Sequence, residues 1–157
     1  MNFNTLHQQN QPLLLANAWD ASSAQAAQQA GYQALGSSSA AIAAMLGYED
    51  GEEMSFDELL YIVSRIKAVS ELPLSVDLEA GYSATTSHII DNIQRLAHLG
   101  VSGINLEDSH VVNNTRRRLD DAVVFAAKIQ EITHACPDMF VNVRTDTFSS
   151  QRTKCTG

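Results

Sequence analysis

Pro73-Leu74-Ser75-Val76-Asp77-Leu78-Glu79-Ala80-Gly81-Tyr82 is the stretch whose reading decides the fold. Leu74 to Leu78 is a short run opened by Pro73 and broken off before Gly81, the length of a strand rather than a helix. Residues 87–99 then carry Ile89, Ile90, Ile93, Leu96, Ala97 and Leu99, the spacing of one helix face. Gly100 follows where a helix C-cap glycine belongs. Gly103-Ile104-Asn105-Leu106 is the next strand. Two strands joined through a helix run parallel, because the helix is the crossover that returns the chain.

The same alternation extends in both directions. Upstream lie a strand at Leu13-Leu14-Leu15-Ala16, an Ala/Gln-rich helix over 21–30 closed by Gly31, and a strand from Tyr32 to Leu35. Ser55 with Glu58 forms a capping box ahead of a helix over 56–69. Downstream lie a helix from Leu119 to Cys136 and a strand from Met139 to Val143. No hairpin signal interrupts the series. The reading is a parallel α/β fold, either a doubly wound sheet or a (β/α)8 barrel. In both, the ligand site lies at the C-terminal ends of the strands. The polar residues gather there: Asp20, Ser37 to Ser39, Asp77 and Glu79, Glu107 and Asp108, Arg144 and Asp146.

Composition excludes several classes. A formal charge of −8 disfavours nucleic acid and anionic membrane surfaces as partners. The one basic run, Arg116-Arg117-Arg118, reads as a solvated loop or helix start. No apolar stretch approaches the ~20 residues of a membrane span, and the first residues do not read as a signal peptide. Cys136 and Cys155 have no metal or redox spacing, so a cytoplasmic location is expected. Residues 1–148 read as one domain, and 149–157 (SSQRTKCTG) as a disordered or artificial tail.

Asp77, Glu79, Glu107 and Asp108 at adjacent strand ends would repel one another unless a cation stood among them. Oxygen ligands suit Mg2+, which takes one or two direct carboxylates and keeps waters. The alternative is that they cap the following helices. Arg144, at the end of a mostly apolar strand, has the fork to grip a carboxylate or phosphate, or to pair with Asp146 or Glu107. Gly36-Ser37-Ser38-Ser39 offers successive backbone N–H groups to an oxyanion, or is an ordinary Ser-rich loop.

Five segments in register carry a resemblance. They are Tyr32-Gln33-Ala34-Leu35-Gly36-Ser37-Ser38-Ser39, Leu46-Gly47-Tyr48-Glu49-Asp50, Val76-Asp77-Leu78-Glu79-Ala80-Gly81-Tyr82, Ile104-Asn105-Leu106-Glu107-Asp108 and Val143-Arg144-Thr145-Asp146. Together they resemble the isocitrate lyase/phosphoenolpyruvate mutase superfamily. The resemblance implies a (β/α)8 TIM barrel, here truncated after about five β/α units, since a full barrel takes about 250 residues. It implies a Mg2+-dependent lyase, with Mn2+ as a possible substitute. Such an enzyme breaks C–C or P–C bonds in 2-oxo acids or related carboxylates through a metal-stabilised enolate. By the same resemblance Asp77 is the principal metal ligand, and Asp50, Glu79 and Glu107 hold the metal's waters. Ser37, Ser38 and Arg144 bind the substrate.

The chain also departs from that pattern. Isocitrate and methylisocitrate lyases carry Lys-Arg-Cys-Gly-His after strand four. Here Ser109-His110-Val111-Val112-Asn113-Asn114-Thr115-Arg116 has no cysteine, so their reactions are not expected. Asn113 is the polar residue that echoes the Lys-Thr-Asn-Ser loop of the mutases, and Glu79 stands where the mutases have Asp. The expected partner is a small carboxylate substrate, in a homo-oligomer. The alternative is a non-catalytic remnant of such an enzyme that depends on oligomerisation.

Overall fold

The computed structural model describes residues 3–112 and 116–147. In chain order its elements are α1 (Phe3–His7), β1 (Leu15–Ala18), α2 (Ala21–Gln29), β2 (Ala34–Ser37), α3 (Ser39–Leu46), α4 (Phe56–Lys67), β3 (Leu74–Asp77), α5 (Thr86–His98), β4 (Gly103–Glu107), β5 (Ser109–Val112), β6 (Arg116–Leu119), α6 (Ala122–Ala135) and β7 (Phe140–Arg144). Asn113 and residues 148–157, which include the expected tail, lie outside the described residues.

β1, β2, β3, β4 and β7 form one parallel sheet in that order. The order never reverses, as it must in a doubly wound sheet. Because parallel crossovers are almost always right-handed, an unreversed order keeps the helices on one face. That is an arc of a (β/α)8 barrel. Curvature is visible at the N-terminal ends of the strands. Phe3 and Leu6 of α1 pack with Ala34 of β2, Leu15 of β1 and Phe140 of β7 in one apolar cluster. Strands at opposite edges of the sheet thus touch the same short helix, which a flat sheet would not permit.

The main core lies between sheet and helices. Leu35, Leu74, Val76, Ile104 and Leu106 of the strands meet Ile42, Leu59, Val63, Ile66, Ile93 and Leu96 of the helices. α4 begins as its sequence requires: the Ser55 hydroxyl accepts from the Glu58 N–H, and the Glu58 carboxylate accepts from the Ser55 N–H at 2.9 Å. Asp20 and Ser23 form a capping box on α2, and Asp121 caps α6 by accepting from the Val123 and Val124 N–H groups.

Three expectations are corrected. β5 and β6 make an antiparallel hairpin where none was expected, with Val111 opposite Arg117. The helix expected from Leu119 starts at Ala122, because Leu119 ends β6 and Asp121 supplies the cap. The basic run is therefore strand, not a solvated loop or helix start. α3 was also unforeseen: it runs SAAIAAML, apolar on most sides, so it shows no period.

The turn after β3 is tightly constrained. Glu79, Gly81 and Tyr82 all have positive φ, at 51°, 112° and 57°. A Cβ on Gly81 would lie 2.7 Å from Cγ1 of buried Ile89. Gly47 also has positive φ, but nothing lies within 4 Å of its Cβ position. Gly81→Ala should therefore cost about 2–3 kcal/mol, conformational strain plus overpacking. Gly47→Ala should cost only the strain, about 1 kcal/mol. Urea unfolding of both variants measures this, and equal losses would contradict the close packing of Gly81 on Ile89.

Candidate active site

Asp77 ends β3 and is fixed by the segment after β2. Its backbone N–H donates to the Ser37 hydroxyl at 2.8 Å. Its Oδ2 accepts from the Ser39 N–H at 3.1 Å and the Ser39 hydroxyl at 2.7 Å. Its Oδ1 is buried and has no hydrogen-bond partner. The nearest cation, Arg144 Nη1, stands 3.9 Å away, too far for a hydrogen bond. A buried carboxylate oxygen without a partner is costly and marks a place where a cation or donor belongs.

Ser37 and Ser38 were expected to bind substrate. The Ser37 hydroxyl accepts from Asp77, and the Ser38 hydroxyl accepts from the Ala41 N–H at 3.3 Å as the N-cap of α3. Each hydroxyl accepts there, so each keeps its own O–H to donate elsewhere. Ser39 turns out to be the serine that holds Asp77.

Glu79 is buried, in a positive-φ backbone held by its neighbours. Its carbonyl accepts from the Glu107 N–H at 2.7 Å, and its carboxylate accepts from the Tyr82 hydroxyl at 3.1 Å. Burial, then the charges of Asp50, Glu52 and Asp77, push the Glu79 carboxyl up to about 7. Burial beside Glu79 pushes the Tyr82 hydroxyl well above its ordinary value, so it stays a donor. Glu52 locks the turn by accepting from the Tyr82 N–H at 2.7 Å, and burial pushes its own carboxyl up.

Glu107, at the end of β4, is gripped from both sides. Arg144 Nη1 lies 2.7 Å from its Oε1, and Arg117 Nη1 binds its Oε2. Burial pushes its carboxyl up against the pull of these two guanidiniums. Asp146 accepts from the Ser109 hydroxyl and lies 3.4 Å from Arg117 and 3.6 Å from Arg144. Asp50 reaches the group through Arg117 Nη2 at 3.6 Å. Asp108 does not join it, since its Oδ1 accepts from the Asp146 N–H at 2.8 Å. It serves the backbone after β7 instead.

Asp77, Glu79, Glu107 and Arg144 are thus brought to one place, with Asp50 at its half-exposed rim. Among the described residues no three His, Cys, Asp or Glu side chains stand close enough to ligate one ion together. A cavity of about 750 Å3 lies alongside, between the start of α5, the hairpin and α6, and shares only Glu52 and Ala80 with this centre. Arg117, Glu52 and Tyr82 were missed in the sequence, and Ser39 was read as part of an oxyanion turn rather than as the partner of the Asp77 carboxylate. Of the three missed, Tyr82 carried a signal, through its place in the Asp77–Tyr82 segment.

The sequence matches the phosphoenolpyruvate phosphomutase family over residues 3–156. An uncharacterized protein of Mycobacterium tuberculosis is 36% identical over 148 residues, which cover 94% of this chain and 54% of that protein. The 2-methylisocitrate lyase of Escherichia coli (strain K12) is 29% identical over 142 residues, 86% of this chain and 48% of that enzyme. A solved structure from Burkholderia cenocepacia J2315 superposes with a TM-score of 0.86 at 37% identity, over 94% of this chain and 60% of that one. The chain therefore spans about half the length of the curated relatives it matches. With its unreversed parallel sheet and its acidic strand ends, this chain belongs to the phosphoenolpyruvate phosphomutase family, within the isocitrate lyase/phosphoenolpyruvate mutase superfamily.

Proposed function

We propose that the protein is a Mg2+-dependent lyase acting on 2-oxo acids or related carboxylates. The observation that carries this reading is Asp77 Oδ1, a buried carboxylate oxygen with no donor, beside Glu79 and Glu107. The donor set is all oxygen, which fits Mg2+ or Mn2+. Asp77 would hold the ion directly. Glu79, Glu107 and Asp50 would hold its waters, which agrees with carboxylates that do not converge on one point. When bound, the ion supplies positive charge to an oxyanion developing on the substrate.

The protein's own groups supply the rest. Arg144 is nearly half exposed, so donors not used on Glu107 face solvent and can take a substrate carboxylate. The O–H groups of Ser37, beside Asp77, and of Ser38, at the start of α3, would donate to a developing oxyanion. In the metal-free protein burial raises the Glu79 carboxyl to about 7, and a divalent ion beside it would lower it again.

The edge of β7 favours a second reading. Among the described residues this strand has a sheet partner on one side only, and Val143 is 42% exposed. On that reading, residues 3–147 alone are inactive and work only beside further strands or as a homo-oligomer. Turnover and sedimentation measured on the same sample separate the two, since an active monomer excludes the second.

Calorimetry with Mn2+ should show at least tenfold weaker binding to Asp77→Ala than to the parent, and equal affinity would remove Asp77 as a ligand. A panel of 2-oxo and 2-hydroxy diacids with Mg2+ tests the substrate class. Isocitrate and 2-methylisocitrate should yield no glyoxylate or pyruvate above an enzyme-free control, because residues 109–112 and 116–119 hold no cysteine.

Glu79 generates a pH prediction for the metal-free protein. Its folded carboxyl titrates at about 7 against an ordinary 4.5, so the folded state holds a proton that the unfolded chain has released. The contribution to stability is full below about pH 4.5 and is lost as pH rises through about 7. With chelator present, urea unfolding between pH 5 and pH 8 should lose about 2–3 kcal/mol more in the parent than in Glu79→Gln. Matching slopes would show that Glu79 is ionised throughout.

A further inference from the structure

Arg117 belongs to none of the segments that carry the family resemblance, yet it holds three parts of the site together. It projects from β6, on the hairpin that follows β4. Its Nη1 binds Glu107 Oε2 and lies 3.3 Å from the Ser109 hydroxyl and 3.4 Å from Asp146 Oδ2. Its Nη2 lies 3.6 Å from Asp50 Oδ2. Glu107 ends a strand, Asp146 follows another, and Asp50 sits in the loop between α3 and α4. The same loop meets the hairpin at Gly51, where a Cβ would run into the Val111 side chain.

The contacts are unequal. Glu107 and Asp146 are almost fully buried, and the Asp50 side chain is half exposed at 49%. A guanidinium and a divalent ion sharing Glu107 as neighbour would repel each other across a poorly screened space. The weakest bond of the guanidinium is the one that gives way.

We propose that Arg117 is the resident counter-cation of this site, and that a divalent ion binding beside Asp77 and Glu107 displaces it from Asp50. The hairpin then loses its ionic tie to the 47–55 loop when the ion arrives. Arg117 is a positioning residue, acting on the site through the carboxylates it holds. This inference rests on the metal-binding reading above.

Two readouts test it, neither of them turnover. The first is Mn2+ affinity, from the paramagnetic resonance signal of the free ion, on parent, Arg117→Met, Arg117→Lys and Arg118→Met. Arg118 neighbours Arg117 on the same strand and makes none of these contacts, so it controls for net charge. Removing the competitor should tighten Mn2+ binding about tenfold in Arg117→Met. Arg117→Lys and Arg118→Met should stay within about twofold of the parent. The second readout is amide hydrogen exchange by mass spectrometry over residues 109–112 and 117–119, with and without Mg2+. Exchange should quicken several-fold with Mg2+ in the parent and should not respond in Arg117→Met. If the parent binds Mn2+ but Arg117→Met binds it equally or more weakly, the displacement is wrong and the metal reading stands. A parent that binds no Mn2+ overturns both. Should Arg117→Met fail to fold by circular dichroism, the parent's exchange decides, and slower or unchanged exchange on adding Mg2+ refutes the proposal.

Discussion

The site depends on how Asp77 is held. Repulsion among buried carboxylates would drive Asp77, Glu79 and Glu107 apart if their side chains were free. The chain prevents this by fixing Asp77 twice, through its backbone N–H to Ser37 and through Oδ2 to Ser39. Both serines come from the segment that ends β2 and opens α3. The neighbouring strand thus aims the carboxylate and leaves Oδ1 without a partner. Register between β2 and β3 is what makes this possible, since Gly36 stands opposite Ser75.

The same constraint explains the strained turn that follows. Glu79 at φ 51° is unfavourable for a side chain with a Cβ. The turn persists because its backbone is tied on both flanks. Leu78 donates to the Asn105 carbonyl, Glu107 donates to the Glu79 carbonyl, and Glu52 accepts from Tyr82. These bonds hold Glu79 where burial, then the charges of Asp50, Glu52 and Asp77, raise its carboxyl. Strain and an unfavourable charge environment therefore fall on the same residue. Both are offset by hydrogen bonds from β4 and from the loop after α3.

The scaffold was legible in the sequence and part of the site was not, for physical reasons. Helices α4 and α5 have one apolar face, and β3 and β4 are short apolar runs ending in acid, so both period and length identify them. The parallel order then follows, and with it the common face of Asp77, Glu107 and Arg144. Residues alone left a doubly wound sheet and a barrel open. The resemblance favoured the barrel, and the unreversed strand order agrees with it. The hairpin escaped because it lacks an Asn-Gly or Asp-Gly turn and clear alternation. Arg117 escaped because Asp50 and Asp146 lie far from it along the chain, and Glu107 meets it only through the unforeseen hairpin. A run of three arginines looks solvated until folding brings carboxylates to one of them. Ser38 was read as an oxyanion ligand, and its capping of α3 was invisible without α3 itself.

The division of labour between strands and hairpin bears on chemistry. Asp77, Glu107 and Arg144 stand on strands whose positions the ladder fixes. The hairpin is a separate two-stranded unit laid over them. It places Ser109 on Asp146 and Arg117 on Glu107, and it carries no thiol among its described residues. Arg117 there adds charge beside the strand-end carboxylates from outside the five-stranded ladder. Arg117, which cannot give up its proton, brings a fixed positive charge to Glu107 and Asp146.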